Sequence, residues 1–192
     1  MGLSTQSDAC FTETSRAREV HEMGWDEVGS TVCPVAKSLS IVGDRWTLLI
    51  MRELSLGVRR FDDIQAQLGA SSYLLSTRLK RLEKDGVIER RLYNEKPERY
   101  EYHATAKGKA LDPILLMLRA WGMSHCCQPG DEPAVKLTYK ATGEVVDENW
   151  KIPSHEWPFS LDVLDGEMSE AFAAEREEKR RSFRKSKKTE TS

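Results

Sequence analysis

The chain has 192 residues, 31% of them charged and 39% apolar, and a formal net charge of -2. That is enough chain for one ordinary domain with extensions and a real core. The charge total by itself points to no polyanionic partner, so any such partner must be read from where the charges sit.

The opening stretch, MGLSTQSDACFTETSR, has no apolar centre, and no run approaches the roughly 18 apolar residues that span a bilayer. Neither a leader nor a membrane partner is expected, and the expected location is cytoplasmic. The cysteines are Cys10, Cys33, Cys126 and Cys127. In that compartment a disulfide framework is not expected. His125 lies beside the adjacent pair Cys126 and Cys127, but no second ligand pair follows at a suitable spacing, so no metal or cofactor is expected.

Residues 1–32 are polar without sustained period and read as a partly disordered arm. Cys33-Pro34 opens a helix, with Val35, Leu39 and Val42 recurring on one face. Gly43-Asp44 interrupts it, and Asp44 caps a second helix with Trp46, Leu49, Ile50 and Leu54 as its stripe. Past Gly57, Phe61, Ile64 and Leu68 define a third, short helix stopped by Gly69. Ser71 or Ser72 caps a fourth that runs to Asp85, with Leu75, Leu79 and Leu82 facing inward.

After Gly86 the period changes to that of a strand, Val87 to Leu92, and residues 94–98 carry turn chemistry. Arg99 to His103 return, with Tyr100 and Tyr102 alternating against charges. Thr105 then caps a helix whose apolar positions are Leu111, Ile114, Leu115, Leu118 and Trp121, with Leu116 and Met117 on its flank. This surface reads as a dimer seam or as a deeper core. The expected fold class is mainly α with a small β-hairpin (α+β), with the third and fourth helices joined as in a helix-turn-helix. The domain spans 33–128. Residues 129–166 form an extension with a hairpin expected around Gly143, and 167–192 form a charged tail, helical and then disordered.

Cys33-Pro34, Gly43-Asp44-Arg45-Trp46, Arg60-Phe61 and Asp85-Gly86 stand in order, followed by the Tyr-x-Tyr-x-x-Thr-x-x-Gly pattern from Tyr100 to Gly108. In these features the chain resembles the HxlR family of bacterial regulators, small relatives of the MarR-type winged-helix proteins. The resemblance covers about residues 33–122. It implies a dimeric winged helix-turn-helix that represses or activates genes. As partners it implies double-stranded DNA, a second copy of the chain, and a small-molecule or electrophile inducer.

A helix in the major groove needs a polar or cationic face opposite its buried stripe. With Leu75, Leu79 and Leu82 inside, Tyr73, Ser76, Thr77 and Lys80 face outward. Ser72 stands at the helix start, where it can meet a phosphate, and Arg78 and Arg81 flank the stripe. Lys96 and Arg99 mark the tip and edge of the hairpin. From 58 to 99 there are ten basic residues against seven acidic ones, an excess of the sign that phosphates require. Cys33, at a helix start, is a candidate for redox sensing or a small residue that merely begins the helix. No Gly-rich phosphate loop, HExxH or partnered nucleophile is present, so no catalytic residue is assigned and an enzyme is not expected. The alternatives are a winged-helix module for protein contacts without DNA, and a small-molecule-responsive regulator without redox chemistry.

Overall fold

A computed structural model describes residues 29–30, 32–128 and 130–190. Most of the expected arm, 1–32, therefore lies outside the described residues. Helix α1 spans Pro34–Val42 and starts on Pro34. Gly43 ends it by returning its N–H to the Leu39 carbonyl. Asp44 then caps α2, Arg45–Ser55, by accepting from the N–H groups of Trp46 and Thr47 at 2.9 and 3.1 Å. Helix α3 is Phe61–Leu68 and stops at Gly69, whose φ of +63° is the left-handed conformation that glycine adopts without penalty. Helix α4 is Ser72–Lys84, and Ser71 is its cap, accepting from the Leu74 N–H.

Strands β1, Ile88–Glu95, and β2, Glu98–Ala104, form an antiparallel hairpin with Ile88 opposite Ala104 and Glu95 opposite Glu98. The α2–α3 connection adds a single bridge to the edge of β2, through Arg60–Glu101 and the Tyr102 N–H to the Arg59 carbonyl. One core joins these pieces. Ile50, Met51 and Leu54 of α2, Ile64 of α3, Leu75, Leu79 and Leu82 of α4, and Val87 and Ile88 are all buried in it.

The helix expected after Thr105 is two helices. Thr105 caps α5, Ala106–Lys109, and α6 runs from Asp112 to His125 with Pro113 in its first turn. Gly108 is forced by packing, because a Cβ there would lie 2.2 Å from the Val87 carbonyl oxygen.

Beyond α6 a second, smaller core forms around Leu116, Tyr139, Val146, Phe159 and Leu164. Leu116, placed on the flank by periodicity alone, is thus buried. The hairpin around Gly143 is present only as a tight return, with the Tyr139 N–H donating to Glu144 and the Val146 N–H to Leu137. The regular partner of β3, Val135–Tyr139, is instead the distant β4, Leu164–Met168. Arg119 of α6 donates to the carbonyls of Val146 and Val135, both at 3.0 Å, and Asp112 accepts from the Leu161 N–H at 2.8 Å. These contacts bind the extension to α6.

The tail is more ordered than its charge suggests. Helix α7 runs over Glu170–Glu190 and lies along α3. Its anchor is Arg176, buried against the fully buried Glu53 of α2. That contact docks the first half of α7 on the domain.

Candidate nucleic-acid interface

Helix α4 has one sealed face and one open face. Leu75, Leu79 and Leu82 are at most 1% exposed. Opposite them Tyr73 is 83% exposed, and Thr77 and Lys80 also face solvent, while Ser76 is half-buried. The Thr77 hydroxyl donates to the Tyr73 carbonyl at 2.8 Å, which fixes its rotamer. The turn before α4 is clamped by Gln65, whose amide donates to the Ala70 carbonyl at 3.1 Å and to the Ser72 hydroxyl at 2.9 Å. The Ser72 side chain is therefore committed to shaping the turn.

The two arginines expected to flank the stripe are engaged within the protein. Arg81 donates to the Ser40 carbonyl of α1 at 2.6 Å, and Arg78 lies 3.6 Å from the capping carboxylate of Asp44. Both sit on the flank of α4 that meets the α1–α2 corner. They lock the angle of the helix rather than extend its open face.

In the hairpin, the basic residues divide in the same way. Arg90 is held to Glu83 of α4 at 2.9 Å and lies over the Tyr100 ring. That hydrogen bond and the carboxylate's charge push its guanidinium pKa further up. Arg91 pairs with Glu89 at 2.6 Å, and Arg60 lies over Tyr93, 4.6 Å from the ring centre. The Arg90 and Arg60 contacts brace the hairpin against α4 and the start of α3, whereas the Arg91 pair lies within β1. At the tip the Asn94 amide donates to the Pro97 carbonyl at 2.7 Å. Lys96 and Arg99 are exposed beside it, and among the described residues nothing engages their side chains. The open cationic groups thus include Lys80 on the outward side of α4 and Lys96 and Arg99 at the hairpin tip.

The expected seam is only partly a surface. Leu111 and Leu115 are half-buried against the main core. Ile114, Met117, Leu118 and Trp121 are exposed and, with Pro113, line a shallow apolar groove on α6. Cys33 is the exposed N-cap residue of α1, and Val35 and Leu39 that follow it are exposed as well. No group of three or more potential metal ligands occurs among the described residues, and no described helix is long and apolar enough to cross a membrane.

One part of the site carries no local sequence signal. Arg59, Arg60, Asp63 and Glu101 form one wall of a polar cleft, and Glu177 and Arg180 of α7 form the other. The walls are at least 76 positions apart in sequence, from Glu101 to Glu177, and only the docking of α7 brings them together.

Three helices, a helix-turn-helix with an open polar face, and a braced two-stranded hairpin beside it define a winged helix-turn-helix protein. The comparisons agree. The sequence matches the family model described as HxlR-like helix-turn-helix over residues 41–129. It is 40% identical over 113 residues to the uncharacterized HTH-type transcriptional regulator Rv3095 of Mycobacterium tuberculosis, covering 59% of this chain and 71% of that protein. It is 37% identical over 106 residues to the HTH-type transcriptional regulator YodB of Bacillus subtilis, covering 54% of this chain and 94% of that one. Among solved structures it is similar to PA1607, described as a candidate transcription factor. The TM-score is 0.57 with 32% identity, over 66% of this chain and 88% of that one. The chain belongs to the HxlR-like helix-turn-helix family of transcriptional regulators and is not an enzyme. The matched family segment ends at 129, so the extension and α7 lie beyond it.

Proposed function

We propose that the protein regulates transcription by binding an inverted-repeat operator in duplex DNA as a homodimer. The observation that carries this reading is the open face of α4, with Tyr73, Thr77 and Lys80 exposed opposite a sealed leucine stripe and Lys96 and Arg99 exposed at the neighbouring wing tip. In this reading Tyr73, Ser76 and Thr77 meet base edges in the major groove, Lys80 meets the groove wall, and Lys96 and Arg99 meet backbone or minor groove. The apolar groove of α6, with Ile114, Leu118 and Trp121, pairs with its symmetry mate. A two-fold dimer then presents two α4 helices to half-sites about one helical turn apart.

The test is selection of duplexes from a randomised pool, followed by affinity measurements on the selected sequence across a range of salt. An inverted repeat with a steep salt dependence is expected. Failure to retain any duplex above non-specific levels at low salt would sink the reading.

We place regulation by oxidants or electrophiles at Cys33. The support is an exposed N-cap thiol beside the exposed Val35 and Leu39, close in sequence to the corner that Arg81 locks. Mild peroxide or quinone treatment is expected to weaken operator binding in the wild type and to spare Cys33→Ser. An equal response of both proteins would move the signal away from Cys33.

A further inference from the structure

Helix α7 is segregated by charge. Residues 179–188 contain seven Lys and Arg and no acidic residue, whereas 170–178 contain four Glu and one Arg. Its direction is fixed at two points. The Gln67 amide, at the end of α3, donates to the Arg176 carbonyl at 3.1 Å. Lys187 donates to the Asp62 carboxylate, at the start of α3, at 2.6 Å. The basic end of α7 therefore lies by the N-terminus of α3. In a helix-turn-helix the first helix is the one that crosses the DNA backbone.

The start of α3 is itself ill-suited to phosphate. It carries Asp62 and Asp63, and its capping position, Arg60, supplies no side-chain cap. Lys187 neutralises one of those carboxylates and brings further cations alongside.

The side of α7 that carries them can be read from the cleft. Glu177 lines it opposite Arg59, Arg60 and Glu101, so this flank of α7 is turned to the base of the wing. Arg181, Arg184 and Lys188 follow Glu177 at i+4, i+7 and i+11, on the same flank of the helix. Arg181 makes only a solvent-exposed pair with Glu178, which is weak and exchangeable. The Arg184 side chain is exposed and has no partner among the described residues.

We propose that the last three turns of α7 are a third DNA-contacting element, binding backbone phosphates outside the stretch read by α4 and the wing. The partner is the phosphate backbone of duplex DNA flanking each half-site, and the contact carries no sequence preference. The proposal rests on the DNA-binding reading above and extends it to a segment beyond the matched family region.

The test uses the full-length protein and a duplex with an inverted repeat selected by that protein, with flanks extending past both half-sites. Arg181 and Arg184 are replaced together by Gln. A control replaces Lys136 and Lys151, on the extension, by Gln, for the same change in net charge. Arg181→Gln with Arg184→Gln is expected to reduce the steepness of log affinity against log salt by about 3–4 units for the bound dimer, as two released counterions per protomer require. Affinity at moderate salt should fall about tenfold, with the preferred sequence unchanged. Trimming the flanks should weaken the wild type and leave this variant unaffected. An unchanged slope, or an equal change in the control, overturns the proposal while the DNA reading stands. A wild type that binds no duplex at low salt overturns both.

Discussion

The Arg176 guanidinium meets the Glu53 carboxylate with both terminal nitrogens, at 3.2 and 2.6 Å, where Glu53 is fully buried. Arg52 approaches the same carboxylate at 2.5 Å from the solvent side. Removing one member of a buried pair costs roughly 3–5 kcal/mol, because the other charge stays buried alone. Arg52 retains part of the compensation here. Arg176→Ala is therefore expected to lower stability by about 2–3 kcal/mol, in proportion to that range, and to expose α7 to proteolysis. Urea denaturation and limited digestion read both effects, and an unchanged midpoint would exclude α7 as a docked element.

Arg81 and Lys80 are neighbours with opposite expected phenotypes. Arg81 holds the Ser40 carbonyl and lies on the α1–α2 corner, whereas Lys80 projects from the open face. Arg81→Ala should cost about 1–2 kcal/mol of stability, as a charge-assisted bond at a partly exposed site does, and leave the salt slope of DNA binding intact. Lys80→Ala should change stability by under about 0.5 kcal/mol and reduce the slope by about two units for the bound dimer, one per protomer. Paired thermal melts and salt titrations separate them, and identical behaviour would contradict the division of labour.

His103 lies in β2 with its pKa held below the usual 6.5, chiefly by burial and then by the nearby Arg91 and Arg59, with Glu101 opposing. A lowered folded-state pKa means that the unfolded chain takes up the proton first as pH falls. The stabilising contribution is complete above about 6.5 and is lost as pH drops from there through the folded-state value. Wild-type stability should therefore decline over that window, and His103→Gln should flatten the decline. A His103→Gln profile parallel to wild type would rule this out.

Leu118 is 46% exposed between Met117 and Trp121 on the apolar groove of α6. Leu118→Glu places a charge where a partner copy would have to desolvate it. Sedimentation should show monomers with unchanged helical signal, and the wild-type unfolding midpoint should rise with protein concentration while that of the variant does not. A wild type that is already monomeric at micromolar concentration would remove the seam.

The parts legible in the sequence are those governed by local chemistry. Asp44 after Gly43, Gly69 after Leu68 and Thr105 before Ala106 mark element ends because caps act within a turn. The leucine stripe of α4 identifies its open face because 3.6-residue periodicity does not depend on neighbours. What is not legible depends on partners far away in the chain. A helical wheel puts Arg78 and Arg81 on a flank but cannot say that Asp44 and Ser40 wait there. Leu116 reads as a flanking residue until Tyr139 and Phe159 fold over it. The hairpin around Gly143 has good turn chemistry, yet β3 finds its longer partner at Leu164–Met168. The docking of α7, read from sequence only as a charged tail that is helical and then disordered, is not legible because the carboxylate that anchors Arg176 sits in another helix.

Leu115 and Leu116 are adjacent, yet Leu115 packs on the main core and Leu116 is buried in the second one. Helix α6 is thus a party wall with a room on either side. Cutting the chain near residue 128 would strip one side of that wall and bare Leu116 beside Met117. The apolar groove would widen into a girdle around the helix, and the shortened protein would associate without a defined register. A gene fusion or deletion at this boundary therefore cannot treat the extension as a detachable tail, because the helix that would pair the two copies takes half of its footing from it.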